Sequence, residues 1–511
     1  MSPGLLSFDT IDWIVLSTYL VVVIGLGVVM GRARRGTGDY FLAGRRMPMW
    51  AVAISLLATS QSAATFVGGP QQAYLGNLTY LVANLGGLLA AIVVAVFFLP
   101  AFYRQQVTSI YQLLGRELGI PAQRAASVLF MAGRTLASGA RLYIVAIPFS
   151  LVAFGCLDSK YLVLSILLIA AIATCYTVVG GIRAVIWTDV LQAVIYVGAV
   201  SIALGLLWHK MPLGLGELLA TLRETGDEQK LSIIDVRLDV SQPYTIWAVI
   251  VGLSLFNLAA LGTDQDLTQR LLTCRSARRG SWSVIASHLI GWPVLALFLL
   301  LGLLLYVYYQ RPDIMQAAGP GYLIDDSRRV FVEFIMHEMP GGLRGLMMAG
   351  LFAAAMSSMD SALNAMASTV IADFYRPLRR RLSPDEGEET DRRERRVSRW
   401  AVAAWAAAMA GVAVGCIFWQ QASGQTLIDF ALGVMVFAYS GLLAVFLTAI
   451  FTRRGNSISA IAAMITGVVA VLLMQEFIWK PWGRELQLAF AWKMTIATGL
   501  SFAVCCAGKR R

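Results

Sequence analysis

The sequence predicts an all-α polytopic membrane protein whose core contains interrupted helices. Three observations carry this. The chain has 511 residues, 58% hydrophobic and 14% charged, with mean hydropathy +0.68, whereas soluble domains carry roughly 25% charge. Its apolar runs recur at about the length that crosses a bilayer. Two of those runs hold polar, helix-weakening stretches of the kind that face a cavity rather than lipid.

Hydropathy divides the chain into about thirteen spans. The first, 11–31, follows an acidic start without a small-residue cleavage site, so it reads as a retained helix rather than a signal peptide. Span two, 48–72, contains Ala58-Thr-Ser-Gln-Ser-Ala-Ala-Thr65 and then Phe66-Val-Gly-Gly-Pro70. Ser and Thr compete for backbone bonds and the Gly-Gly-Pro run weakens a helix, so this span should be broken, with freed carbonyls toward a cavity. Spans three to six cover 76–103, 123–154, 160–179 and 183–208. Span seven, 242–263, has Asn257 in its interior and ends in Gly262-Thr263-Asp264. Spans eight to thirteen cover 281–309, 340–372, 397–419, 425–452, 456–476 and 487–507. Weak points five spans apart point to two five-helix repeats of an inverted-repeat secondary transporter. The two halves share no residue-level similarity to support the repeat independently.

Loop charge orients the chain. Arg32, Arg34, Arg35, Arg45 and Arg46 follow span one, and basic clusters follow spans three, seven, nine and eleven; Lys509 to Arg511 close the chain. Alternate loops are poor in Lys and Arg or mixed in sign. The positive-inside rule then sets the N-terminus outside and the C-terminus in the cytoplasm. The net charge of +11 is therefore a topology signal, and nucleic acid is not an expected partner; the lipid bilayer is. Of the two long loops, 209–241 reads as an outward solvated surface and 376–399 as a flexible charged linker. No GxxxxGK[ST] occurs, which argues against an ATP-driven pump. Six cysteines show no zinc spacing, and three scattered histidines make a histidine-based metalloenzyme improbable.

Span nine is the most unusual stretch: Leu343 to Tyr375, mostly Ala, Met, Leu and Ser, with one acid, Asp360, near its middle. A carboxylate at that depth costs several kcal/mol unless it meets water, a cation or a partner. Ser357, Ser358, Asp360 and Ser361 fall within about one turn and offer hard oxygen donors suited to a small hard cation. Serines and alanines at this spacing also serve close helix packing; the acid favours an ion site. In span four, Arg134 and Arg141 lie seven residues apart on one face. They meet either an anionic substrate or a structural partner inside the bundle, and Arg141 could instead snorkel. Asp189 in span six lines the interior or, near the cytoplasmic end, bonds Arg183 or the backbone.

Together these stretches resemble the sodium:solute symporter family. The matching segments are Asp39-Tyr-Phe-Leu-Ala-Gly-Arg45, Tyr176-Thr-Val-Val-Gly-Gly-Ile-Arg-Ala-Val-Ile-Trp-Thr-Asp189 and Gly262-Thr-Asp-Gln-Asp-Leu-Thr-Gln-Arg270. Ala353-Ala-Ala-Met-Ser-Ser-Met-Asp-Ser-Ala-Leu-Asn364 and Asp373-Phe-Tyr375 follow in family order. The resemblance implies the LeuT-type fold in one transporter domain, 1–511. Within it, 48–452 would be the ten-helix inverted-repeat core, 11–31 an additional N-terminal helix and 456–507 two C-terminal helices. It also implies sodium-driven uptake by alternating access. By position, the family's shared sodium site falls on Ala58, Gln61, Ala354, Ser357 and Ser358. A second sodium, as in the family's sialic acid transporters, would fall on Asp189, Ser357, Asp360 and Ser361. Asp360 stands where those relatives have a hydroxyl, so a proton or a structural hydrogen bond is the alternative. The substrate positions similar to those transporters are Ser60, Ser62, Thr65, Asn84 and Arg134; Asn257 in span seven completes the set. Arg134 matches the arginine that meets their substrate's carboxylate, a group a guanidinium can grip with two hydrogen bonds. Gln61 departs from the apolar residue usual there, and Arg141 has no counterpart.

The expected function is thus sodium-coupled import of a small organic acid, such as a sialic acid or related sugar acid, by a monomer in a bacterial inner membrane. The rivals are a neutral sugar, an amino acid, a monocarboxylate or a vitamin as solute, or protons as driver. A membrane sensor is disfavoured by the lack of a soluble domain after Arg511, a channel by the broken-helix pair. No enzyme is expected, because no catalytic constellation stands apart from the acids already placed.

Overall fold

The computed structural model describes residues 8–32, 41–177, 181–224, 230–315, 319, 324, 326–382, 388–423, 425–479 and 487–509. These residues are almost entirely helical. Thr10–Arg32 forms α1. Span two divides into α2 (Met49–Ser60) and α3 (Ala63–Leu75), bent by 59°. Then come α4 (Thr79–Arg104), the short α5 (Tyr111–Glu117), the long α6 (Ile120–Phe154), α7 (Ser159–Thr177) and α8 (Ile182–Lys210). Span seven divides into α9 (Ala248–Thr263) and α10 (Gln265–Leu272), bent by 58°. It is followed by α11 (Ala277–Gln310), α12 (Leu343–Thr369), α13 (Glu388–Ser423) and α14 (Leu427–Phe451). The last two long helices are α15 (Ser457–Leu473) and α16 (Phe490–Ala507).

Each broken span opens a set of five membrane-crossing segments, and the two breaks bend by nearly the same angle. This is the LeuT-type arrangement. Each break has a local cause. At the first, Ser62 is extended and its hydroxyl accepts from the N–H of Ala64 at 3.3 Å, capping α3. At the second, the Asp264 carboxylate accepts from the N–H of Asp266 at 2.9 Å and caps α10. The expected weak point at Gly68-Gly69-Pro70 does not break the chain: all three lie inside α3. The break falls instead at Gln61 and Ser62, where a side chain offers the backbone an alternative bond. The Gly-Pro turn is a packing seam, and a Cβ on Gly302 of α11 would run into the Pro70 carbonyl oxygen.

A second expectation is corrected at 376–399. Helix α13 begins at Glu388, so much of the presumed flexible linker continues the membrane helix. Arg376 bonds Glu394 through Nε and Nη2, each at 3.0 Å, across the connection. The alternating charges thus pair as well as solvate. Asp39, Tyr40, Arg34, Arg35 and Val178 to Gly180 of the sequence motifs lie outside the described residues, as do 225–229 of the outward loop.

Two buried carboxylates fasten the periphery. Asp12 of α1, fully buried, accepts from the N–H groups of Gly342 at 2.7 Å and Gly345 at 2.8 Å. It thereby caps α12 from a different helix, at the end where the helix dipole favours an anion. Asp373, just past α12, accepts from Ser109 and Ser127 hydroxyls at 2.7 Å and from Gln123 at 2.8 Å.

Candidate functional site: a cavity and a charge chain at the two breaks

The first break prepares two carbonyls. In an unbroken helix the N–H of Ser62 would bond Ala58 and that of Thr65 would bond Gln61. Here Ser62 bonds Ser60 at 3.1 Å and Thr65 bonds Ser62 at 2.8 Å. The carbonyls of Ala58 and Gln61 therefore lose the helical partners they would have had. Across from them, α12 is almost wholly buried and presents Ala354, Ser357, Ser358, Asp360 and Ser361. Ser358 donates back to the Ala354 carbonyl at 3.1 Å. Ser357 donates to Asp189 of α8 at 2.6 Å. Ser361 donates to Asp266 at 3.2 Å, and Thr177 donates to Asp360 at 2.8 Å. Hydroxyls, carbonyls and a carboxylate form a donor set for a hard cation. Among the described residues no group of three or more His, Cys, Asp or Glu is placed for a metal ion.

The second break supplies charge. Arg270 of α10 is fully buried. It donates to Asp189 at 3.1 Å, to the Ser55 hydroxyl at 2.8 Å, and to Asp266 through both its side chain at 2.6 Å and its carbonyl at 2.8 Å. Arg134 of α6 donates to Asp264 at 3.0 Å and, through Nη2, to Asp266. Tyr439 of α14 also donates to Asp264, at 2.7 Å. An alternating chain, Asp189–Arg270–Asp266–Arg134–Asp264, thus runs from the serine cluster of α12 to the second break. Asp189 is held by Arg270, Ser55 and Ser357, so among the described residues neither Arg183 nor the backbone is its partner as the alternative supposed. Ion pairs this deep are tolerated only when additional hydrogen bonds support them, and every acid of this alternating chain has at least two such partners.

Between the breaks lies a cavity of about 130 Å³. Five of the six substrate positions, Ser60, Thr65, Asn84, Arg134 and Asn257, line it; Ser62 does not, because its hydroxyl turns back to cap α3. Gln61 and Arg141 line it too, with Tyr80, Phe256 and His288. Asn84 Nδ2 and Arg134 Nε are buried without a hydrogen-bond partner, so the cavity wall holds unmet polar demand. One expectation about Arg134 needs correction: its terminal nitrogens do not await a bidentate carboxylate but already hold Asp264 and Asp266. The sequence reading missed Asp264, Asp266, Arg270 and Tyr439 as a unit. The available signal was three charges within seven residues, 264 to 270, of a membrane chain.

Broken spans that release carbonyls beside hydroxyls, a buried charge chain and a central polar cavity define a cation-coupled secondary transporter. Comparison with known proteins agrees. The profile of the sodium:solute symporter family matches residues 40–467, and the chain belongs to that family. It is 27% identical over 465 residues to the sodium/sialic acid symporter of Proteus mirabilis (strain HI4320), covering 91% of this chain and 89% of that one. It is 26% identical over 478 residues to the sodium/sialic acid symporter of Aliivibrio fischeri (strain ATCC 700601 / ES114), covering 92% and 88%. Its fold superposes with TM-score 0.81 on a Na+-coupled sialic acid symporter solved in a substrate-bound outward-open state. That match is 24% identical and covers 98% of this chain and 97% of the other. The chain is a multi-pass sodium-coupled symporter of a small solute, with Na+ as its co-transported ion.

Proposed function

We propose that the protein imports a carboxylate-bearing solute, of the sialic acid or related sugar-acid class, across a bacterial inner membrane. The N-terminus lies outside, the C-terminus in the cytoplasm, and one subunit suffices. The ten-helix unit 48–452 does the work, with 11–31 and 456–507 around it. The observation that carries the reading is the cavity between the breaks, whose wall combines hydroxyls, amides and the arginines of α6. Sodium held by Ala58, Gln61, Ala354, Ser357 and Ser358 ties the broken span to α12. A second sodium at Asp189, Ser357, Asp360 and Ser361 touches the head of the charge chain.

Electrostatics link ion and solute. Arg134 and Arg270 pair with Asp189, Asp264 and Asp266, so the chain sets two guanidinium groups against three carboxylates. An incoming carboxylate adds negative charge to a region of low dielectric, where it is costly unless a cation arrives with it. Each ligand therefore raises the affinity for the other, reciprocally. Ser62 acts by shaping the break, and Ser60, Thr65, Asn84 and Asn257 supply polar contacts to the solute.

The test is the melting temperature of the purified protein against acids, neutral sugars and amino acids, in sodium and in potassium. Ligands of the folded state raise it by mass action. A shift with an acid, only in sodium, supports the reading. A neutral solute is the alternative favoured by the two carboxylates already seated on the terminal nitrogens of Arg134. A shift with neutral sugars and no acid selects it.

A further inference from the structure

We propose that Arg141, rather than Arg134, holds the carboxylate of the transported solute. This rests on the carboxylate-bearing substrate proposed above and names the residue that reads it. Arg134 is 3% exposed and its two terminal nitrogens are engaged by Asp264 and Asp266. Nε is the one nitrogen of this guanidinium without a partner. An anion approaching that guanidinium would meet two carboxylates already seated on it, and like charges at such range repel strongly in a dry interior. In effect Asp264 and Asp266 fill, from within the chain, the place a substrate carboxylate would take on Arg134.

Arg141 is in the opposite situation. It lies two turns further along the same face of α6, about 10 Å from Arg134 by helix rise, and lines the same cavity. Its hydrogen-bonding contact is with the thioether sulfur of Met435, 3.7 Å from Nη2, and no ion pair reaches it among the described residues. Arg134, Tyr439, Asp266 and Asp264 act on it only through their fields. A guanidinium on a cavity wall within a membrane bundle, with a weak sulfur acceptor as its partner, is a site awaiting an anion. Asn84, whose amide nitrogen is also unpaired, lines the same cavity and offers the solute a second donor. Arg134 then acts as a positioning residue that clamps the second break through Asp264 and Asp266.

The experiment uses the full chain, purified in sodium, with sialic acid and its uncharged methyl ester as probes. Binding is measured to the wild type, Arg141→Gln, Arg141→Lys and Arg134→Gln. Losing one charge-assisted hydrogen-bonding partner weakens binding by about tenfold or more. Arg141→Gln is expected to lose that factor for the acid and nothing for the ester, and Arg141→Lys to keep part of it. The melting temperature and sodium-induced shift of ligand-free Arg141→Gln should match the wild type, which separates a lost contact from a damaged fold. Arg141→Gln binding the acid as the wild type does, while Arg134→Gln abolishes it, overturns the assignment and leaves the substrate class standing. A wild type that binds neither sialic acid nor any other acid of the panel overturns the substrate class, and the assignment with it.

Discussion

Arg270→Gln is the perturbation that most directly probes the charge chain. The guanidinium makes four hydrogen bonds, to Asp189, to the Ser55 hydroxyl and to the carboxylate and carbonyl of Asp266, all within 3.1 Å. It is fully buried, as are its acidic partners, so no solvent screening discounts the loss. Removing one partner of a buried ion pair costs about 3–5 kcal/mol because the remaining charge stays uncompensated. Here Asp189 loses its cation and Asp266 keeps only Arg134. A sodium ion at Asp189 can supply the missing charge, so the variant should depend on sodium more than the wild type does. The assay is thermal unfolding of purified protein in sodium chloride and in choline chloride. The expected result is a large fall in the midpoint in choline and a sodium-induced recovery exceeding the wild-type increment. Adding Asp189→Asn should regain part of the stability and abolish the extra sodium response. A single variant that melts like the wild type, with the same sodium increment, would refute the account of Arg270 as an internal cation beside an ion site.

Three further outcomes follow from the same structure. Ser357→Ala removes the hydroxyl that bonds Asp189 at 2.6 Å and should raise the sodium concentration for half-maximal uptake by about tenfold or more; unchanged sodium dependence sinks the ion-site assignment. Gly302→Ala drives a Cβ into the Pro70 carbonyl and should cost about 1–3 kcal/mol of stability by overpacking, visible as a lower melting midpoint. Asp326, in the connection after α11, is partly buried, which alone would raise its carboxyl, but the hydrogen bonds from Arg328 outweigh that and hold it below the usual range. A depressed carboxyl contributes stability above its unfolded pKa of about 3.9 and loses it as pH falls through the folded value. The melting difference between Asp326→Asn and the wild type should therefore be present at neutral pH and shrink as pH falls below about 3.9.

Much of the fold was legible because it rests on local chemistry. Apolar length marked the spans, and the polar run from Ala58 to Thr65 marked the first break. What misled was the weight given to Gly68-Gly69-Pro70. A helix can absorb a proline when a glycine of its neighbour lets the backbones approach, as Gly302 does, and that neighbour lies more than two hundred residues away. The oxygen cluster of α12 was legible for the same local reason, since Ser357, Ser358, Asp360 and Ser361 share a turn. The partners of Arg134 were not. Asp264 and Asp266 appear in the sequence as motif letters after span seven, and only the bend at the second break turns them toward α6. The same holds for Tyr439, brought to Asp264 from the far end of the chain. Helical periodicity says which face a residue occupies and nothing about which other helix that face meets.

The cap that Asp12 places on α12 has a mechanical meaning. Helix α1 lies outside the ten crossing segments that the two breaks organise, yet its carboxylate closes the amide end of the helix that carries the serine cluster. Gly345 has no room for a side chain against the Asp12 backbone, so the two helices touch at main-chain distance. Nothing in this joint can slide without orphaning two amides and a buried carboxylate together. Helix α1 is therefore an outrigger lashed to α12, and a tilt of the one alone against the bilayer would have to break this joint. A label on α1 would report the attitude of α12 from the rim of the molecule.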